Sequence, residues 1–378
     1  MSINVKNFFI ALLNFFFKLI PVKNNQILFQ CGRGMLDESP KAIYDYIKQQ
    51  KTQKYKLIWI IDKDTVNSEI PKNEYCYSKT LKSFFVLASS KYWIRSQSIG
   101  SHLKKKNTQI YIQTWHGHGT LKKMGNDKTG KKEQLSHTKE WDYLICESDP
   151  CKKIMLSSTG YTGKTCVIGY PSTDIIINKH DDKKYLNTIR KKLNIDNNKK
   201  IILYAPTYRD WFLNEKKVTL PISKLKKLTS EYNILIRIHP LVRKKLEKDF
   251  LEKNHFIDCN DYPNMEDLLL VSDLLITDYS GTFSEYALLK KPTIFYAFDY
   301  ERYSSENGFY LNYEKDLPGI IVHTEEELYN AIKEKSYDKK IYKEKLQSYN
   351  KKFNNLNDGK VAERFYKMLV NGEFEKDV

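Results

Sequence analysis

Two histidines stand in a glycine-rich run, Thr114-Trp115-His116-Gly117-His118-Gly119-Thr120-Leu121-Lys122-Lys123, directly after an apolar stretch that reads as a buried strand. A strand ending there would deliver His116 to one edge of its sheet, and the glycines let backbone approach a ligand closely. A neutral imidazole in that position could take the proton of an attacking hydroxyl, because its ordinary pKa lies near working pH. The competing reading of either histidine is a structural or surface residue. A second group, Tyr204-Ala205-Pro206-Thr207-Tyr208-Arg209-Asp210, also follows a buried strand. Pro206 fixes the turn, Thr207 and its backbone N–H could hold a nucleotide or phosphate, and Arg209 offers a planar fork suited to phosphate oxygens. The alternative for Arg209 is a salt bridge to Asp210 or another acid. In the third group, Ile236-Arg237-Ile238-His239-Pro240, strand alternation puts Arg237 and His239 on one face. Beside a pyrophosphate, His239 could stabilise charge building on a departing phosphate. A buried structural histidine is the plainer reading.

The stretch Ser272 to Tyr303 carries the fourth group. Apolar runs at Leu274–Thr277 and Thr293–Tyr296 read as strands, and Phe283, Tyr286, Ala287 and Leu289 fall at helical spacing between them. Asp278, Ser280 and Thr282 offer N-cap oxygens, and Gly281 allows a tight turn. In such a strand–turn–helix–strand unit the helix N-terminus favours an anion, so a phosphate fits there; simple capping is the alternative.

The string TDYSGTFSEYALLKKPTIFYAFDYERY, ending at Tyr303, resembles the signature of the CDP-glycerol:poly(glycerophosphate) glycerophosphotransferase family, the teichoic-acid primases and polymerases. That family shows T-D-Y-S-S, an aromatic, an acidic residue, Lys-Pro and a D-x-x-x-Y ending. It also carries W-H-G-T-P-L-K-K, Y-A-P-T-[WY]-R and R-x-H-P, which the first three groups match in order. The resemblance implies His116 as general base, with His118 a rival because His118-Gly119-Thr120 stands where Thr-Pro is usual. It implies that His239 and Arg237 steady the pyrophosphate and that Trp115, Gly117, Pro206, Thr207, Arg209, Ser280, Gly281 and Glu285 hold the donor. Lys122, Asp278 and Ser172 are further candidates. Ser172, in Gly169-Tyr170-Pro171-Ser172-Thr173-Asp174, replaces the arginine of the family's G-x-P-R-N-D.

The implied reaction moves glycerol phosphate from CDP-glycerol to a hydroxyl of a lipid-linked saccharide acceptor and releases CMP, in the making of teichoic acid or capsule. Without the polymerases' long N-terminal extension, the chain has the size of a primase, which favours adding one or few units. A CDP-ribitol-dependent ribitol-phosphate transferase and a glycosyltransferase using a nucleotide sugar are the alternatives, the second encouraged by Ser172. A non-enzymatic binder of anionic polymers would explain the charge but not the histidines at strand ends.

Positioning these groups requires alternating strands and helices. Strands are expected at Gln26–Gln30, Lys56–Ile61, Tyr92–Arg95, Gln109–Thr114 and Trp141–Cys146, with helices near Lys41–Lys51, Thr80–Ser89 and Pro150–Ser158. Beyond Thr173 come helix Lys183–Leu193, strand Ile201–Ala205, helix Ser223–Ser230, strand Leu235–Ile238 and helix Met265–Val271. With the family resemblance, this predicts an α/β fold of the GT-B type: two Rossmann-like domains facing across a cleft, with an N-terminal amphipathic helix. The expected divisions are a membrane-associating helix over 1–22, an acceptor domain over 23–172, a CDP-donor domain over 173–345 and a C-terminal helix over 346–378. The charged segment from Glu325 onward reads as two solvated helices.

Phe8 to Ile20 is apolar apart from Asn14 and Lys18, and too short to span a bilayer. No small-residue cleavage site follows, so a signal peptide is not expected. An in-plane helix dipping Phe and Leu into an anionic membrane surface, with Lys6, Lys18 and Lys23 on headgroups, would place the protein peripherally on the cytoplasmic face of the cell membrane. A core or interdomain helix is the alternative. The 63 Lys+Arg against 46 Asp+Glu give a net charge of +17, which calls for an anionic partner; the motifs point to phosphate compounds and membrane, not nucleic acid. Six cysteines lack C-x-x-C pairing, as expected in a reducing compartment without a zinc site. No metal motif is present, so no cofactor is expected to be required, and loosely bound magnesium is compatible with this reading.

Overall fold

The computed structural model describes residues 3–51, 54–65, 69–97, 104–196, 198–247 and 249–375. The chain divides into two compact units, one built from Met1–His116, Gly130–Asp174 and Leu356–Val378, the other from Gly117–Thr129 and Ile175–Asn355.

The first unit holds a sheet of seven parallel strands: β1 (Lys23–Gln30), β2 (Lys56–Ile61), β3 (Tyr75–Tyr77), β4 (Ser90–Arg95), β5 (Ile110–Gln113), β6 (Tyr143–Cys146) and β7 (Lys164–Val167). Their order is β3-β2-β1-β4-β5-β6-β7. The second unit holds six parallel strands, β8 (Lys200–Tyr204), β9 (Tyr232–Ile236), β10 (Ile257–Asp258), β11 (Leu274–Thr277), β12 (Thr293–Tyr296) and β13 (Ile320–Val322), in the order β10-β9-β8-β11-β12-β13. Runs such as Ile27-Leu28-Phe29 and Leu274-Leu275-Ile276 are buried throughout, because a parallel sheet is covered on both faces. Each sheet reverses its strand order once, at β1/β4 and at β8/β11. Ligands in open α/β sheets collect outside the carboxyl ends of strands at such reversals. Both Rossmann-like units of the expected GT-B class are therefore present.

Local sequence explains the helix limits. α2 (Glu38–Gln49) starts three residues before the expected Lys41, since Asp37 accepts the Glu38 N–H and Pro40 sits in the first turn, where no helical N–H is needed. α3 (Leu81–Ser89) is closed by a capping box between Thr80 and Ser83. The expected helix Ser223–Ser230 is a 3₁₀ segment, Ser223–Leu228. The short strands β3, β7, β10 and β13 were not expected from the sequence pattern.

α1 (Ile3–Leu19) carries the apolar N-terminal segment. The side chains of Lys6, Asn7 and Phe8 lie outside the described residues. Phe17 is fully buried, its ring 5.7 Å from Phe84 and 6.5 Å from Trp93, and joins the core. Leu12, Leu13, Phe15, Phe16 and Leu19 stay exposed. Among the described residues no helix is long and apolar enough to cross a membrane.

The tail differs from a pair of solvated helices. Lys340–Phe353 buries Leu346, Tyr349 and Phe353 in the second unit, while Val361–Val370 buries Val361, Ala362, Phe365 and Leu369 in the first. The Asp174 carboxylate accepts the N–H groups of Val361 (3.0 Å) and Ala362 (2.8 Å), giving the latter helix its N-terminal anchor. Asp174→Ala should therefore lower stability by about 1–3 kcal/mol, the cost of leaving buried donors unsatisfied, as read from urea unfolding. An unchanged midpoint and slope would show that this anchor carries no weight.

Candidate active site

In the second unit the carboxyl ends of β8, β9, β11 and β12 bring together most of the sequence-predicted donor residues. At their centre lies Arg209, 1 % exposed. Its Nε donates to Asp299 Oδ2 (2.6 Å), its Nη2 to Asp278 Oδ2 (2.8 Å) and Asp299 Oδ1 (3.0 Å), and its Nη1 to the Thr207 carbonyl (2.6 Å). The guanidinium lies 4.8 Å from the Tyr279 ring centre and 5.0 Å from that of Tyr303, and these two rings stack at 3.8 Å. The expected fork for phosphate is thus engaged inside the protein, and Asp210 is not its partner. Asp278 likewise does not cap a helix: its Oδ1 accepts the N–H groups of Thr207 (2.8 Å) and Tyr279 (2.5 Å). These bonds hold the turn after Pro206 in place.

That turn leaves the Thr207 hydroxyl oxygen buried without a hydrogen-bond partner among the described residues, beside a small recess also lined by Pro206, Ile238 and His239. His239 is half-buried, its ring 4.6 Å from that of Tyr208. Its Nδ1 accepts the Leu241 N–H (3.3 Å), so the neutral ring carries its proton on Nε2. Arg237 shares the strand end, and its Nη1 donates to the carbonyls of Cys259 (2.8 Å), Asn260 (2.5 Å) and Tyr262 (2.7 Å). Ser280 Oγ donates to Thr282 Oγ1 (2.9 Å) and accepts the Thr282 N–H (3.3 Å), a local turn contact, while the N-cap position itself is Gly281 and carries no side-chain cap.

The loop after Gly117 belongs to this unit as well. His118 is buried, with Nε2 3.5 Å from Glu285 Oε1. A Cβ on Gly281 would fall 2.5 Å from the His118 carbonyl oxygen, so the glycine at 281 is required by loop packing. Thr120 Oγ1 meets Tyr349 OH at 2.8 Å, and Tyr349 OH donates to Ser284 Oγ (3.0 Å). Lys122 pairs in an antiparallel bridge with Phe309. Burial lowers the pKa of its ammonium, opposed by the nearby Asp278 carboxylate, and among the described residues no hydrogen bond or ion pair satisfies it. Among the described residues of this unit, Lys122 and the hydroxyls of Thr207 and Tyr208 are polar groups left available to an anion.

The first unit supplies Trp115, His116 and Ser172. β5 ends at Gln113, whose Oε1 accepts the Trp115 N–H (3.0 Å) at a left-handed φ of 62°. The Trp115 ring stacks on His116 with centres 4.5 Å apart. His116 Nδ1 lies 3.0 Å from the Ser96 carbonyl oxygen. A carbonyl only accepts, so Nδ1 holds the proton and Nε2 presents its lone pair. Crowding by neighbours lowers the pKa of the ring, outweighing the Ser96 bond, although the ring edge remains exposed. Gly117 follows at φ 119°, a conformation other residues rarely adopt. Ser172 sits against Ser39 of α2, with the Ser39 hydroxyl 3.4 Å from the Ser172 hydroxyl and backbone N–H.

Sequence reasoning assigned no role to Asp299, Tyr279, Tyr349 or Ser96. Asp299 and Tyr303 are the ends of the D-x-x-x-Y pattern, a signal that was present; nothing in the local sequence marks Ser96. Among the described residues no group of three or more His, Cys, Asp or Glu could hold a metal ion, and the six cysteines are free thiols.

Two parallel-sheet units of Rossmann-like strand order give the chain an α/β fold of the GT-B type. Residues 12–371 match the CDP-glycerol:poly(glycerophosphate) glycerophosphotransferase family, to which this chain belongs. It is 32% identical over 364 residues to a teichoic acid glycerol-phosphate transferase of Staphylococcus aureus (strain NCTC 8325 / PS 47), covering 90% of this chain and 91% of the relative. It is 34% identical over 366 residues to a teichoic acid poly(glycerol phosphate) polymerase of Staphylococcus epidermidis (strain ATCC 35984), where it covers 90% of this chain and spans only 50% of the relative. A solved structure of a variant of the wall teichoic acid polymerase TagF with CDPG superposes with a TM-score of 0.86 at 30% identity, covering 98% of this chain and 96% of that one.

The Arg209 cluster yields a stability test. Arg209→Met would strand two carboxylates in a dry setting, which costs about 3–5 kcal/mol when one partner of a buried pair is removed. Urea unfolding should show that loss. A change below about 1 kcal/mol, the range of exposed ion pairs, would mean the cluster is wetter than its burial implies.

Proposed function

We propose that the chain transfers glycerol phosphate from CDP-glycerol to a hydroxyl of a lipid-linked surface-polymer acceptor, releasing CMP. The observation that carries this reading is the tautomer of His116: Nδ1–H bound to the Ser96 carbonyl leaves Nε2 as a base in a ring whose pKa is already depressed. The acceptor hydroxyl gives its proton to Nε2 while its oxygen attacks the phosphorus that bears glycerol. The bond to the bridging oxygen of the diphosphate breaks, and CMP leaves with the electron pair. His239, its proton on Nε2, donates toward the phosphate oxygens as charge accumulates there. Lys122 in its protonated form supplies positive charge, and the Thr207 hydroxyl donates a hydrogen bond to the donor's phosphate. These groups would carry the charge of the diphosphate without a required cofactor. Trp115, Pro206, Gly117, Gly281 and Glu285 shape the loops that hold the donor, and Arg237 stiffens the strand end beneath His239.

The same reading places the protein peripherally on an anionic membrane surface at the cytoplasmic face. The exposed Leu12, Leu13, Phe15, Phe16 and Leu19 of α1 and Leu81 and Phe85 of α3 support it, because apolar side chains of this size on neighbouring helices are suited to the bilayer interface. Acidic headgroups would meet Lys18 and Lys82 beside them, both on these helices.

CMP release from CDP-glycerol, with CDP-ribitol in parallel and a lipid-linked saccharide as acceptor, tests the chemistry. His116→Ala should reduce it by about 10²–10⁴-fold, the usual worth of a positioned general base. Because the base works unprotonated and its pKa lies below the ordinary 6.5, kcat/KM should rise with pH through an inflection below 6.5 and be flat at neutrality. An inflection above that value, or full activity in the alanine variant, would remove His116 from the role. Release from CDP-ribitol alone would reassign the polyol. For the membrane, Phe15→Ser with Phe16→Ser should weaken binding to anionic vesicles by at least about tenfold, given about 1.5–3 kcal/mol per buried aromatic. Undiminished vesicle binding would place these side chains outside the contact.

A further inference from the structure

A cavity of about 1030 Å³ opens in the first unit under α1 and α3. That exceeds or matches the upper end of ordinary ligand pockets, about 300–1,000 Å³. One wall is built by Leu13, Phe16 and Leu19 of α1, the other by Leu81, Phe84 and Phe85 of α3. The side chains at its lip are the exposed ones: Leu81 is 80% and Leu19 64% accessible. The floor is polar, formed by Gln30 and Arg95, with Asp62 and Ser78 beside them. An apolar shaft whose polar end carries Arg95 and Lys79 against the single carboxylate of Asp62 is matched to an amphiphile, a hydrocarbon chain ending in an anionic head, and poorly to a free sugar or a nucleotide.

The position of the floor decides which amphiphile. Gln30 and Arg95 are the last residues of β1 and β4 and pair in register, so the floor lies at the strand-order reversal of this sheet, where ligands of open α/β sheets collect. Arg95 is 3% exposed, its guanidinium 5.2 Å from the Tyr111 ring centre and 5.8 Å from that of Trp93, which fixes its direction. The Arg95 carbonyl accepts the Thr114 N–H (2.8 Å), and the next carbonyl, that of Ser96, is the one that orients His116. The floor is thus one residue from the anchor of the proposed base. A bulk membrane lipid has no need to reach that point, whereas the molecule whose hydroxyl is to be deprotonated must.

The geometry points to this cavity as the binding site of the acceptor's lipid portion: a single hydrocarbon chain lies between α1 and α3, its phosphate-bearing head rests over Arg95 and Gln30, and the saccharide extends toward His116. This assignment rests on the transfer reading above and adds the subsite. It also gives α1 a second task besides touching the membrane, since three of its side chains form a wall of the cavity.

The test is direct binding of farnesyl phosphate, below its micelle concentration and without donor, to the full chain, followed by calorimetry. Inorganic phosphate and dihexanoyl phosphatidylglycerol are the comparison probes. Farnesyl phosphate should bind about tenfold or more tightly than either, since only it offers one chain to the shaft and one anion to the floor. Leu87→Trp, which places an indole in the cavity, should weaken that binding by about tenfold or more. Phe85→Ser, at a half-exposed lip position, should weaken it too without disturbing the core, and Arg95→Gln should abolish the preference for farnesyl phosphate over farnesol. Equal binding of farnesyl and inorganic phosphate overturns the proposal, as does tighter binding of the phosphatidylglycerol, which would make this a bulk-lipid site. So does unchanged binding by folded Leu87→Trp. Because the probe is read without CDP-glycerol, failure of the subsite and failure of CMP release are separate results.

Discussion

The second unit depends on a buried guanidinium held between two carboxylates. Arg209, Asp278 and Asp299 come from three separate strand-end segments, and removing three charges from water is tolerable only because nearly every donor and acceptor finds a partner. The consequence is rigidity at the carboxyl ends of β8, β11 and β12. Thr207 is tied twice to this cluster, through its N–H on Asp278 and its carbonyl on Arg209, so its hydroxyl has a fixed direction. The cluster holds one positive and two negative groups, and Lys122 stands within its field. Burial lowers the pKa of the Lys122 ammonium; within the cluster the Asp278 carboxylate opposes that shift and the Arg209 guanidinium adds to it.

The same economy of contacts explains the glycines. Gly281 has an ordinary negative φ, so its need for a hydrogen in place of Cβ is steric and comes from the His118 carbonyl. Gly117 has the opposite cause: open space around it but a φ that only glycine adopts readily. The histidine-bearing loop is thus bent at one glycine and pressed against another. Within that loop His118 is buried beside Glu285. Deeper along the loop, the Thr120–Tyr349–Ser284 chain of hydroxyls links it to the helix Thr282–Leu288 and to Lys340–Phe353.

Much of this was legible in the sequence where signals are local and long. The buried strands β2, β8, β11 and β12 are nearly continuous apolar runs and were found almost to the residue, whereas β1 begins at Lys23, three residues before the expected Gln26, because its first residues are polar and exposed. The strands that escaped, β3, β7, β10 and β13, are two to four residues long and lie toward sheet edges, where a run such as Ile257-Asp258 has no period to detect. For the site, sequence spacing marked the correct loops but not the use of each side chain. Arg209 looked like a phosphate ligand because its partners lie 69 and 90 residues away, beyond any local pattern. Ser96 was invisible because it acts through its carbonyl, which every residue possesses.

Backbone neighbours also divide labour between two chemically identical side chains. At His116 the neighbour is a carbonyl, which can only accept, so the ring must keep its proton on Nδ1 and expose a basic Nε2. At His239 the neighbour is the Leu241 N–H, which can only donate, so the neutral ring carries its proton on Nε2. The two neutral rings are thus opposite tautomers, one with its proton on Nδ1 and the other with its proton on Nε2. The distinction needs no charged partner at either ring. It follows from placing one imidazole after β5 against a carbonyl, and the other after β9 at the start of the helical turn Pro240–Arg243, where the Leu241 N–H finds its acceptor on the ring.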